Sequence, residues 1–352
     1  MSILITGGAG FIGSNLSRYL AKFGKVIVVD NLSRKGSEYN LKWLSEDLDF
    51  EFHQMDIEDK SSIDKLIEKT KPSSVIHLAA QTAVTTSVAD PYTDFKVNAL
   101  GTFHVLDAVR RYCPNSVFIF ASTNKVYGLL SGHQVIDDGK RYAYKGSSVG
   151  INETQPVEFH SPYGCSKGAA DQYVLDYSRI YGLRSIVFRL SCIYGERQFG
   201  VEDQGWVSWF AIQAAKKLPV TIFGDGKQAR DLLWIDDLLT AFRKAIVRAD
   251  SVAGEVFNLG GGPENVLSLL ELVEILNKKT SRPMTTNFQS WRPGDQRLYV
   301  SCLEKAKSKL DWTPTVNPHE GVNRLYQWIN QNRSLFSSEL RKKSLCLENV
   351  EK

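Results

Sequence analysis

The sequence predicts an α/β fold, with a doubly wound parallel sheet and a smaller C-terminal lobe. Three observations lead to this prediction. Short runs of Val, Ile and Leu alternate with helical patterns through the first half of the 352 residues, as in βαβ units whose sheet is covered on both faces. A glycine-rich turn joins the first such run to the first helix. After about residue 192 the alternation loosens into shorter elements, which indicates a second lobe.

The elements of the first half are assigned from apolar runs and from helical spacing of the apolar residues. In chain order they are the strand Ile3–Thr6, the helix Phe11–Phe23, the strand Lys25–Asp30, a weaker strand Asp49–His53, the helix Ser61–Lys69, the strand Ser74–Leu78, the helix Tyr92–Tyr112, the strand Ser116–Ala121, the helix Ser161–Tyr181 and the strand Ser185–Leu190.

The second half contains fewer clear elements. A polar, glycine-rich stretch, 129–160, interrupts the alternation and is expected to pass over the site. Further strands are expected near 220–223 and 255–259, with helices near 235–249, 267–278 and 319–331. We therefore divide the chain into a sheet domain that includes the helix after residue 160 (1–191), a smaller lobe (192–333) and a charged tail (334–352).

Composition excludes several classes of protein. Hydrophobic residues make up 43% and charged residues 23%, which is ordinary for a soluble chain. The net charge of +4 is too small to suggest a nucleic-acid partner, and no apolar stretch approaches the length of a membrane helix. The five cysteines and six histidines are dispersed, so we expect reduced thiols and no metal site. Met1 and Ser2 run directly into the first strand, leaving no room for a signal peptide, and we expect a cytoplasmic protein.

A glycine-rich segment, TGGAGFIG at 6–13, lies between the first predicted strand and the first predicted helix. Gly7 permits a tight turn, Gly10 lets the backbone approach a pyrophosphate, and Gly13 allows the helix to pack closely on the strand. Asp30 ends the second predicted strand, where its carboxylate can accept hydrogen bonds from the adenosine ribose hydroxyls. The combination predicts a Rossmann-type dinucleotide site. A glycine-rich turn without a ligand is the plainer alternative.

The charges after the second strand indicate which dinucleotide is bound. The carboxylate of Asp30 repels a 2′-phosphate, which favours NAD over NADP. Arg34 and Lys35 follow in the next loop and could hold such a phosphate, although a solvated basic turn explains them more simply. We therefore expect NAD as the cofactor.

Three residues suggest oxidation and reduction of a hydroxyl group. Tyr163 and Lys167 are four residues apart at the start of a predicted helix, so both project from one helical face. A Lys ammonium near a Tyr hydroxyl favours the phenolate and is expected to lower the pKa of the tyrosine, which can then take and return a hydroxyl proton. Thr123 follows the strand 116–121, at the edge of the sheet where ligands of parallel sheets bind. A surface pair and a Thr that merely closes a strand are the alternatives.

These segments resemble the extended short-chain dehydrogenase/reductase family, in particular its nucleotide-sugar epimerases and dehydratases. The resemblance rests on ITGGAGFIGSN at 5–15, the Asp-Ile pair at 56–57, HLAA at 77–80, Asn98 with the Gly-Thr at 101–102, VYG at 126–128 and SPYGCSK at 161–167. It implies that Asp56 and Ile57 contact adenine, that Lys167 also holds the nicotinamide ribose, and that Asn98 is support beside the cofactor. The expected cofactor contacts are Gly7, Gly10, Phe11, Ile12, Gly13, Asp30, Asn31, Arg34, Asp56, Ile57, Leu78, Ala79, Ala80, Asn98, Tyr163 and Lys167.

The residues after Thr123 bear on the type of reaction. Dehydratases of the resembling family need an acid and a base there, typically an Asp-Glu pair, whereas this chain has Asn124 and Lys125. An amide does not exchange protons near pH 7, and an ammonium cannot replace a carboxylate base. Dehydration is therefore disfavoured, which leaves epimerisation or simple oxidation and reduction.

Further segments narrow the resemblance within the epimerases. STNKVYG at 122–128, HSPYGCSKGAADQY at 160–173, DQGWVSWF at 203–210 and DQR at 295–297 resemble members that act on CDP-linked sugars. This implies inversion at C2 of a CDP-linked 3,6-dideoxyhexose through transient oxidation at C2. A 4-epimerase of UDP-hexoses would share every cofactor and catalytic residue named here. A non-catalytic NAD-sensing regulator on the same fold is the alternative from another class.

Substrate contacts are expected from both parts of the chain. Arg230 and Arg292 resemble the family's anchors for the nucleotide diphosphate, for which the guanidinium fork is well suited. The expected substrate contacts are Thr123, Asn124, Gln204, Arg230 and Arg292. Trp206 and Trp209 could wall the sugar pocket or belong to the core. The helices 92–112 and 161–181 could pair across a twofold axis to form a homodimer, and the resemblance also allows a homotetramer.

Overall fold

The computed structural model describes residues 1–146, 149–292 and 294–336. Ser147, Ser148, Pro293 and residues 337–352 lie outside the described residues, and with them most of the predicted charged tail. Of that tail, residues 334–336 belong to a short 3₁₀ turn, Arg333–Phe336, whose Phe336 ring lies 5.4 Å from that of Phe199.

The first part of the chain alternates strands and helices. Its elements are β1 (Ser2–Thr6), α1 (Phe11–Leu20), β2 (Lys25–Asp30), α2 (Ser37–Asp47), β3 (Glu51–Gln54), α3 (Lys60–Thr70), β4 (Ser74–His77), α4 (Val84–Ala89), α5 (Pro91–Phe95), a π-helical turn (Lys96–Gly101), α6 (Thr102–Tyr112), β5 (Val117–Thr123) and a 3₁₀ turn (Asn124–Tyr127).

The remaining elements are shorter, apart from one long helix. They are β6 (Val135–Asp137), β7 (Tyr142–Tyr144), α7 (Ser161–Tyr181), β8 (Arg184–Leu190), β9 (Cys192–Tyr194), α8 (Trp206–Lys216), β10 (Val220–Phe223), β11 (Ala229–Trp234), α9 (Ile235–Val247), α10 (Ala249–Val252), β12 (Val256–Leu259), a 3₁₀ turn (Pro263–Asn265), β13 (Val266–Ser268), α11 (Leu269–Asn277), β14 (Thr286–Gln289), β15 (Leu298–Tyr299), α12 (Glu304–Leu310) and α13 (Pro318–Gln331).

Seven parallel strands form the large sheet, in the order β3-β2-β1-β4-β5-β8-β12. Successive residues of its central strands face opposite sides: Ile3 and Ile5 join one buried cluster, while Leu4 joins the other. Because both faces are covered by helices, nearly every position of these strands is apolar. The predicted doubly wound parallel sheet is confirmed.

The predicted boundary at residue 191 does not separate two independent units. Val256–Leu259, inside the predicted second lobe, pairs with β8 as the last strand of the large sheet. The stretch 129–160 contacts the second lobe. The amide of Tyr142 donates to the carbonyl oxygen of Lys227 at 3.0 Å, and Ile151 forms a parallel β-bridge with Ser301. The chain thus crosses between the two lobes several times.

The long helix predicted over 92–112 is interrupted. It consists of α5, the π-helical turn and α6, and the extra residue of a π turn shifts the side chains that follow it. The helices α2 and α8 and the strands β9 and β11 were not predicted. Within the described ranges, no helix is both long and apolar enough to cross a membrane.

Candidate functional site

A cavity of about 700 Å³ opens at the carboxyl ends of β1, β2, β4, β5 and β8, beneath the second lobe. In a parallel sheet this edge is where ligands bind, because the strands end there and the helices begin. Every predicted site residue lines the cavity except Asn98. The carboxyl edge of the sheet therefore brings together residues that are as far apart in sequence as Gly7 and Arg292.

The glycine-rich turn forms one wall of the cavity. Gly7 has a φ of 67°, which favours glycine, and a Cβ there would lie 2.7 Å from the amide nitrogen of Ala79. A Cβ at Gly13 would collide with the carbonyl oxygen of Gly7, so only glycine lets α1 pack this close to β1. A Cβ at Gly10 would meet only one atom within 4 Å, at 3.1 Å, so this position faces open space.

The start of α1 suits an anionic group. Gly10 is its N-cap, the first turn carries no acidic residue, and no side chain of the described residues caps it. The first amide N–H groups of the helix are therefore free to donate, and the helix dipole adds positive potential at the same point. The glycine cradle and this helix end fit the pyrophosphate of a dinucleotide.

Asp30 lies at the far end of the same wall, 8% exposed. Its Oδ2 accepts a hydrogen bond from the amide of Ala9 at 3.0 Å, and its Oδ1 accepts one from the amide of Leu32 at 2.8 Å. Burial raises the pKa of Asp30, and these backbone N–H groups oppose the shift. A carboxylate has lone pairs beyond those two bonds, so Asp30 can still accept from ribose hydroxyls.

The end of the cavity predicted to hold adenine is built from the loops after β2 and β3. The side-chain amide of Asn31 donates to Oδ2 of Asp56 at 2.8 Å, which joins the two loops. Ile57, 4% exposed, supplies an apolar surface there. Arg34 stands at the rim, and burial lowers the pKa of its guanidinium.

Asn98 does not line the cavity, which corrects its prediction as a cofactor contact. Its carboxamide pairs with the backbone of Gln81, accepting from the amide and donating to the carbonyl, both at 3.0 Å. It also donates to Oδ1 of Asp94 at 3.0 Å. Asn98 thereby fixes the segment after β4, in agreement with the supporting role that the resemblance implied.

A buried hydrogen-bond chain that sequence reasoning missed supports the same wall. Nδ1 of His77 lies 2.7 Å from Oγ1 of Thr6, and its Nε2 lies 3.0 Å from Oγ1 of Thr102. Thr102 donates its proton to the carbonyl of Asn98 at 2.6 Å, so we assign the proton of the imidazole to Nε2. Burial lowers the pKa of His77 to about 3, and the ring is neutral.

Thr123, Tyr163 and Lys167 meet where β5 ends and α7 begins. The amide of Lys125 donates to Oγ1 of Thr123 at 3.2 Å, and the same hydroxyl is the hydrogen-bonding partner of the Tyr163 phenol. Nζ of Lys167 donates to the carbonyl oxygen of Ala121 at 2.7 Å. All three side chains are nearly buried.

The expected lowering of the Tyr163 pKa is wrong for the protein without a cofactor. Burial raises the pKa of Tyr163 to about 12, the hydrogen bond from Thr123 opposes the shift, and the charge of Asp94 adds to it. Burial also lowers the pKa of Lys167 to about 7. Its ammonium points to the carbonyl of Ala121 rather than to the phenol, so it does not offset the cost of burying a phenolate.

The predicted substrate residues occupy the other half of the cavity. Asn124 lies beside Thr123, whose hydroxyl is 3.4 Å from its Oδ1. Arg230 donates to the carbonyl oxygens of Ala229 and Gln296, both at 2.7 Å, and burial lowers the pKa of its guanidinium.

Arg292 and Gln204 belong to different loops, and both line the cavity. The guanidinium of Arg292 lies 3.6 Å above the ring centre of Phe223 and 3.3 Å from Oδ1 of Asp203. Gln204 accepts a hydrogen bond from Arg34 at 2.9 Å, which places it beside the loop after β2. Trp206 lines the cavity, whereas Trp209 packs against the core.

Several polar residues of the cavity carried no motif and were missed. They are Gln81, Thr82, Thr85, Gln198 and Gln228. The hydroxyl groups of Thr82 and Thr85 are buried without a hydrogen-bond partner among the described residues. Their position just beyond the carboxyl end of β4 is the signal that could have identified them.

A buried ion pair lies close to the predicted catalytic residues. Asp171 of α7 faces Arg189 of β8, and Ser122 donates to Oδ2 of Asp171 at 2.7 Å. Ser122 directly precedes Thr123, so the ion pair ties the catalytic helix to the end of β5. Within the described ranges, no group of three or more His, Cys, Asp or Glu side chains could hold a metal ion.

The fold and the cavity define a Rossmann-type enzyme with a Thr-Tyr-Lys constellation beside a dinucleotide cradle. Residues 4–325 match the family model described as GDP-mannose 4,6 dehydratase. The chain belongs to this family of extended short-chain dehydrogenases/reductases, as the motifs predicted.

Individual relatives span nearly the whole chain. CDP-paratose 2-epimerase of Salmonella typhi is 45% identical over 336 residues, which cover 94% of this chain and 99% of that protein. The solved structure of UDP-glucose 4-epimerase from Thermotoga maritima with UDP-glucose has a TM-score of 0.81 at 32% identity, covering 95% and 100% of the two chains. That of UDP-glucose 4-epimerase from Thermus thermophilus in complex with NAD has a TM-score of 0.80 at 30% identity, covering 94% and 100%.

Proposed function

We propose that the protein is an NAD-dependent nucleotide-sugar epimerase that inverts C2 of a CDP-linked 3,6-dideoxyhexose and interconverts CDP-paratose and CDP-tyvelose. The observation that carries the proposal is the 45% identity, over 94% of the chain, to a CDP-paratose 2-epimerase. The Thr-Tyr-Lys constellation beside the dinucleotide cradle is the machinery that such a reaction requires.

The cofactor assignment rests on the shape and charge of the cavity wall. Gly7, Gly10 and Gly13 leave room for the pyrophosphate at the start of α1, and Asp30 takes the adenosine ribose hydroxyls. Lys167 holds the nicotinamide ribose. Bound NAD supplies a hydride acceptor, a hydride donor on the return step, and a positive charge beside the reacting carbon.

We assign Tyr163 as the group that accepts the proton of the sugar hydroxyl. Its phenol shares a hydrogen bond with Thr123, and a sugar hydroxyl seated between these two side chains gives its proton to Tyr163 as the carbon is oxidised. Because burial raises the pKa of Tyr163 to about 12, the side chain needs a further positive charge nearby to act near neutral pH.

Inversion follows if the keto-sugar turns its other face to the cofactor before the hydride returns. The site needs no additional acid or base for this step, and it offers none beside Thr123. The next two side chains are the amide of Asn124, which does not exchange protons near pH 7, and Lys125. Burial and the charge of Arg230 lower the pKa of Lys125 to about 8, so it is mostly an ammonium at neutral pH and replaces the Asp-Glu pair poorly. This favours epimerisation over dehydration.

Arg230 and Arg292 are assigned to the nucleotide diphosphate, and Asn124 and Gln204 to sugar or nucleotide contacts. All four line the half of the cavity that the dinucleotide cradle leaves free. The guanidinium of Arg230 is held by two carbonyl oxygens, so its remaining N–H groups can donate to phosphate oxygens.

We also propose that the enzyme is at least a homodimer formed through the helices that carry the site. These helices expose an unusual number of large apolar side chains: Val88, Tyr92, Phe95, Leu100, Tyr173, Ile180 and Tyr181. These side chains lie on α4, α5, the π-helical turn and α7, which are adjacent in the fold. Such a surface is typical of an interface between copies of a chain. The cysteines of the described residues are free thiols, as suits the cytoplasm.

The experiment is a turnover assay of the purified protein, without added NAD, on CDP-paratose beside UDP-glucose and UDP-galactose, with the products followed by NMR. Inversion at C2 of the CDP-sugar alone supports the proposal, and turnover without added NAD supports a cofactor that stays bound. Interconversion of the two UDP-hexoses would show that the enzyme inverts C4 rather than C2, as a 4-epimerase does. The assignments of the cofactor and of the catalytic residues would not change.

A further inference from the structure

Lys125 reaches the cavity directly beside the catalytic threonine. It belongs to the 3₁₀ turn after β5, and its backbone amide holds Oγ1 of Thr123 at 3.2 Å. Its side chain extends across the cavity toward the second lobe, where Nζ lies 3.3 Å from the carbonyl oxygen of Gly294. The hydroxyl of Thr123 and the ammonium of Lys125 are therefore positioned by the same turn of backbone.

Among the residues the structure describes, the ammonium of Lys125 forms no ion pair within 4 Å, and its hydrogen-bond acceptor is the carbonyl oxygen of Gly294. Asp295 acts on it only from a longer distance, and Arg230 repels it. Arg230 also lacks a carboxylate partner within that distance in the described part of the chain and is held by carbonyl oxygens. Both cations line the cavity and are held by backbone carbonyl oxygens. Arg230 repels Lys125, and the carboxylate of Asp295 offsets both charges only in part, from beyond 4 Å.

Such an arrangement is costly without an anion, because neighbouring like charges repel and burial removes water from each. The cost disappears when an anionic ligand binds between them, and a phosphate group has both the charge and the acceptor oxygens to do so. In a nucleotide sugar, the phosphate nearest the sugar is the β-phosphate.

The distance between that phosphate and the reacting carbon depends on which carbon reacts. C2 is attached to the anomeric carbon, which carries the phosphate oxygen, so C2 and the β-phosphate are close neighbours. C4 lies on the opposite side of the ring, and a sugar that presents C4 to the catalytic residues holds its β-phosphate away from them. A phosphate-binding ammonium on the turn that orients Thr123 suits C2.

We propose that Lys125 binds the β-phosphate of the nucleotide sugar and thereby selects C2 as the carbon presented to Thr123 and Tyr163. The proposal rests on the proposed 2-epimerase function and names the residue that sets its regiochemistry. In this arrangement Arg230 and Arg292 bind the remaining oxygens of the diphosphate. Lys125 is a specificity-determining residue, since it binds the part of the substrate that does not react.

The test compares Lys125→Met, which keeps the length of the side chain without its charge, with Lys125→Arg, which keeps the charge. Lys42→Met, an exposed lysine of α2, is the matched control. Isothermal titration with CDP and with CMP measures the contribution of the β-phosphate as the ratio of their affinities. Turnover of CDP-paratose and the site of inversion are followed by NMR on the same samples.

In Lys125→Met the preference for CDP over CMP is expected to fall about tenfold or more, as for loss of a charge-assisted hydrogen bond. The binding of CMP and NAD should stay near that of the unaltered protein. Lys125→Arg should keep most of the preference, and Lys42→Met all of it. Turnover at C2 should fall in Lys125→Met with a raised KM for the CDP-sugar.

An unchanged CDP-to-CMP ratio in Lys125→Met would overturn the role of Lys125 as a phosphate ligand. An equal loss for both nucleotides would also overturn it, since that is the result of a purely structural contact with Gly294. The unaltered protein is assayed first. Absence of inversion at C2 in that sample counts against the proposed function, whereas a change confined to Lys125→Met concerns the role of Lys125 alone.

Discussion

Asp171 of α7 and Arg189 of β8 form a bidentate ion pair, with 3.0 Å between Nε and Oδ2 and 2.9 Å between Nη2 and Oδ1. Both side chains are almost fully buried, at 0% and 4% exposed. Nη1 of Arg189 also donates to the hydroxyl of Tyr127 at 3.1 Å, and that hydroxyl donates to Oδ1 of Asn258 at 2.8 Å. The pair therefore joins α7, β8, β12 and the turn after β5.

Arg189→Met is expected to destabilise the protein strongly, because it leaves the buried carboxylate of Asp171 without its countercharge. The free energy of unfolding should fall by about 3–5 kcal/mol, measured by urea denaturation. The control is Arg184→Met, whose ion pair with Asp250 is exposed and should contribute less than about 1 kcal/mol. Equal, small losses in both variants would show that the buried pair is not needed.

Tyr163→Phe should keep the cofactor and lose most turnover. The change removes only the hydroxyl that shares a hydrogen bond with Thr123, and the ring still fills its place. We expect kcat to fall by about 10²–10⁴-fold, the usual contribution of a proton-transferring group, with NAD content measured on the same preparation. Tyr326→Phe, at a residue that does not line the cavity, should keep full activity. Full activity of Tyr163→Phe would rule out the assigned proton transfer.

Asp30→Ala should weaken the binding of NAD. It removes the acceptor for the ribose hydroxyls and also frees the amides of Ala9 and Leu32. Loss of hydrogen bonds to a charged group costs about 1.5–3 kcal/mol, so the Kd for NAD should rise roughly 10–150-fold in a titration of cofactor-free protein. Asp47→Ala, on the surface of α2, is the control. The ribose contact is misplaced if both variants bind NAD equally well.

His77 should make the stability depend on pH. Its pKa is about 3 in the folded protein against an ordinary value of 6.5. Below pH 6.5 the unfolded chain binds a proton that the folded protein does not take up until about pH 3, so the free energy of unfolding falls as the pH falls through this window. From pH 7 to pH 5 the contribution of His77 is about −2 kcal/mol.

The comparison variant for this effect is His77→Asn, which should be less stable at pH 7 but lose less stability between pH 7 and pH 5. Urea denaturation at both pH values gives the two differences. If the acid-induced loss is the same in the variant and the unaltered protein, His77 is not the group responsible.

Ile180→Asp should disrupt the proposed dimer. Ile180 is 65% exposed on α7, and a carboxylate there would be buried without a partner if the helices pair across a twofold axis. Light scattering coupled to size exclusion should report a monomer. Val247→Asp, which changes a similarly exposed residue at the end of α9, should keep the oligomeric state. A dimer in both variants would move the interface elsewhere.

The strands of the large sheet could be predicted because the apolar pattern that marks each strand lies within one short segment of sequence. Strands covered on both faces need apolar residues at nearly every position, and the run at Lys25–Asp30 was bounded correctly from this feature alone. The glycine cradle could be predicted for the same reason, because one turn and the start of one helix determine the spacing of Gly7, Gly10 and Gly13.

Other features depend on contacts that are distant in sequence and could not be predicted. The helix α2 was missed because it buries few residues, among them Ser37, Asn40 and Leu44, and so lacks a clear apolar stripe. The direction of the Tyr163 pKa shift depends on how deeply the folded chain buries the phenol. The carbonyl partner of Lys125 lies 169 residues away, and no motif connects the two.

The pairing of β12 with β8 has a consequence for how the chain can fold during its synthesis. When the ribosome has completed β8, the sheet still has an open edge, and the strand that closes it has not been translated. Domains usually fold from the N-terminus as they emerge, at about 5–20 residues per second, so this edge stays exposed for roughly 4–14 s. A chain that stalls between residues 191 and 255 would carry a finished cofactor cradle and an unprotected strand, ready to pair with another nascent chain.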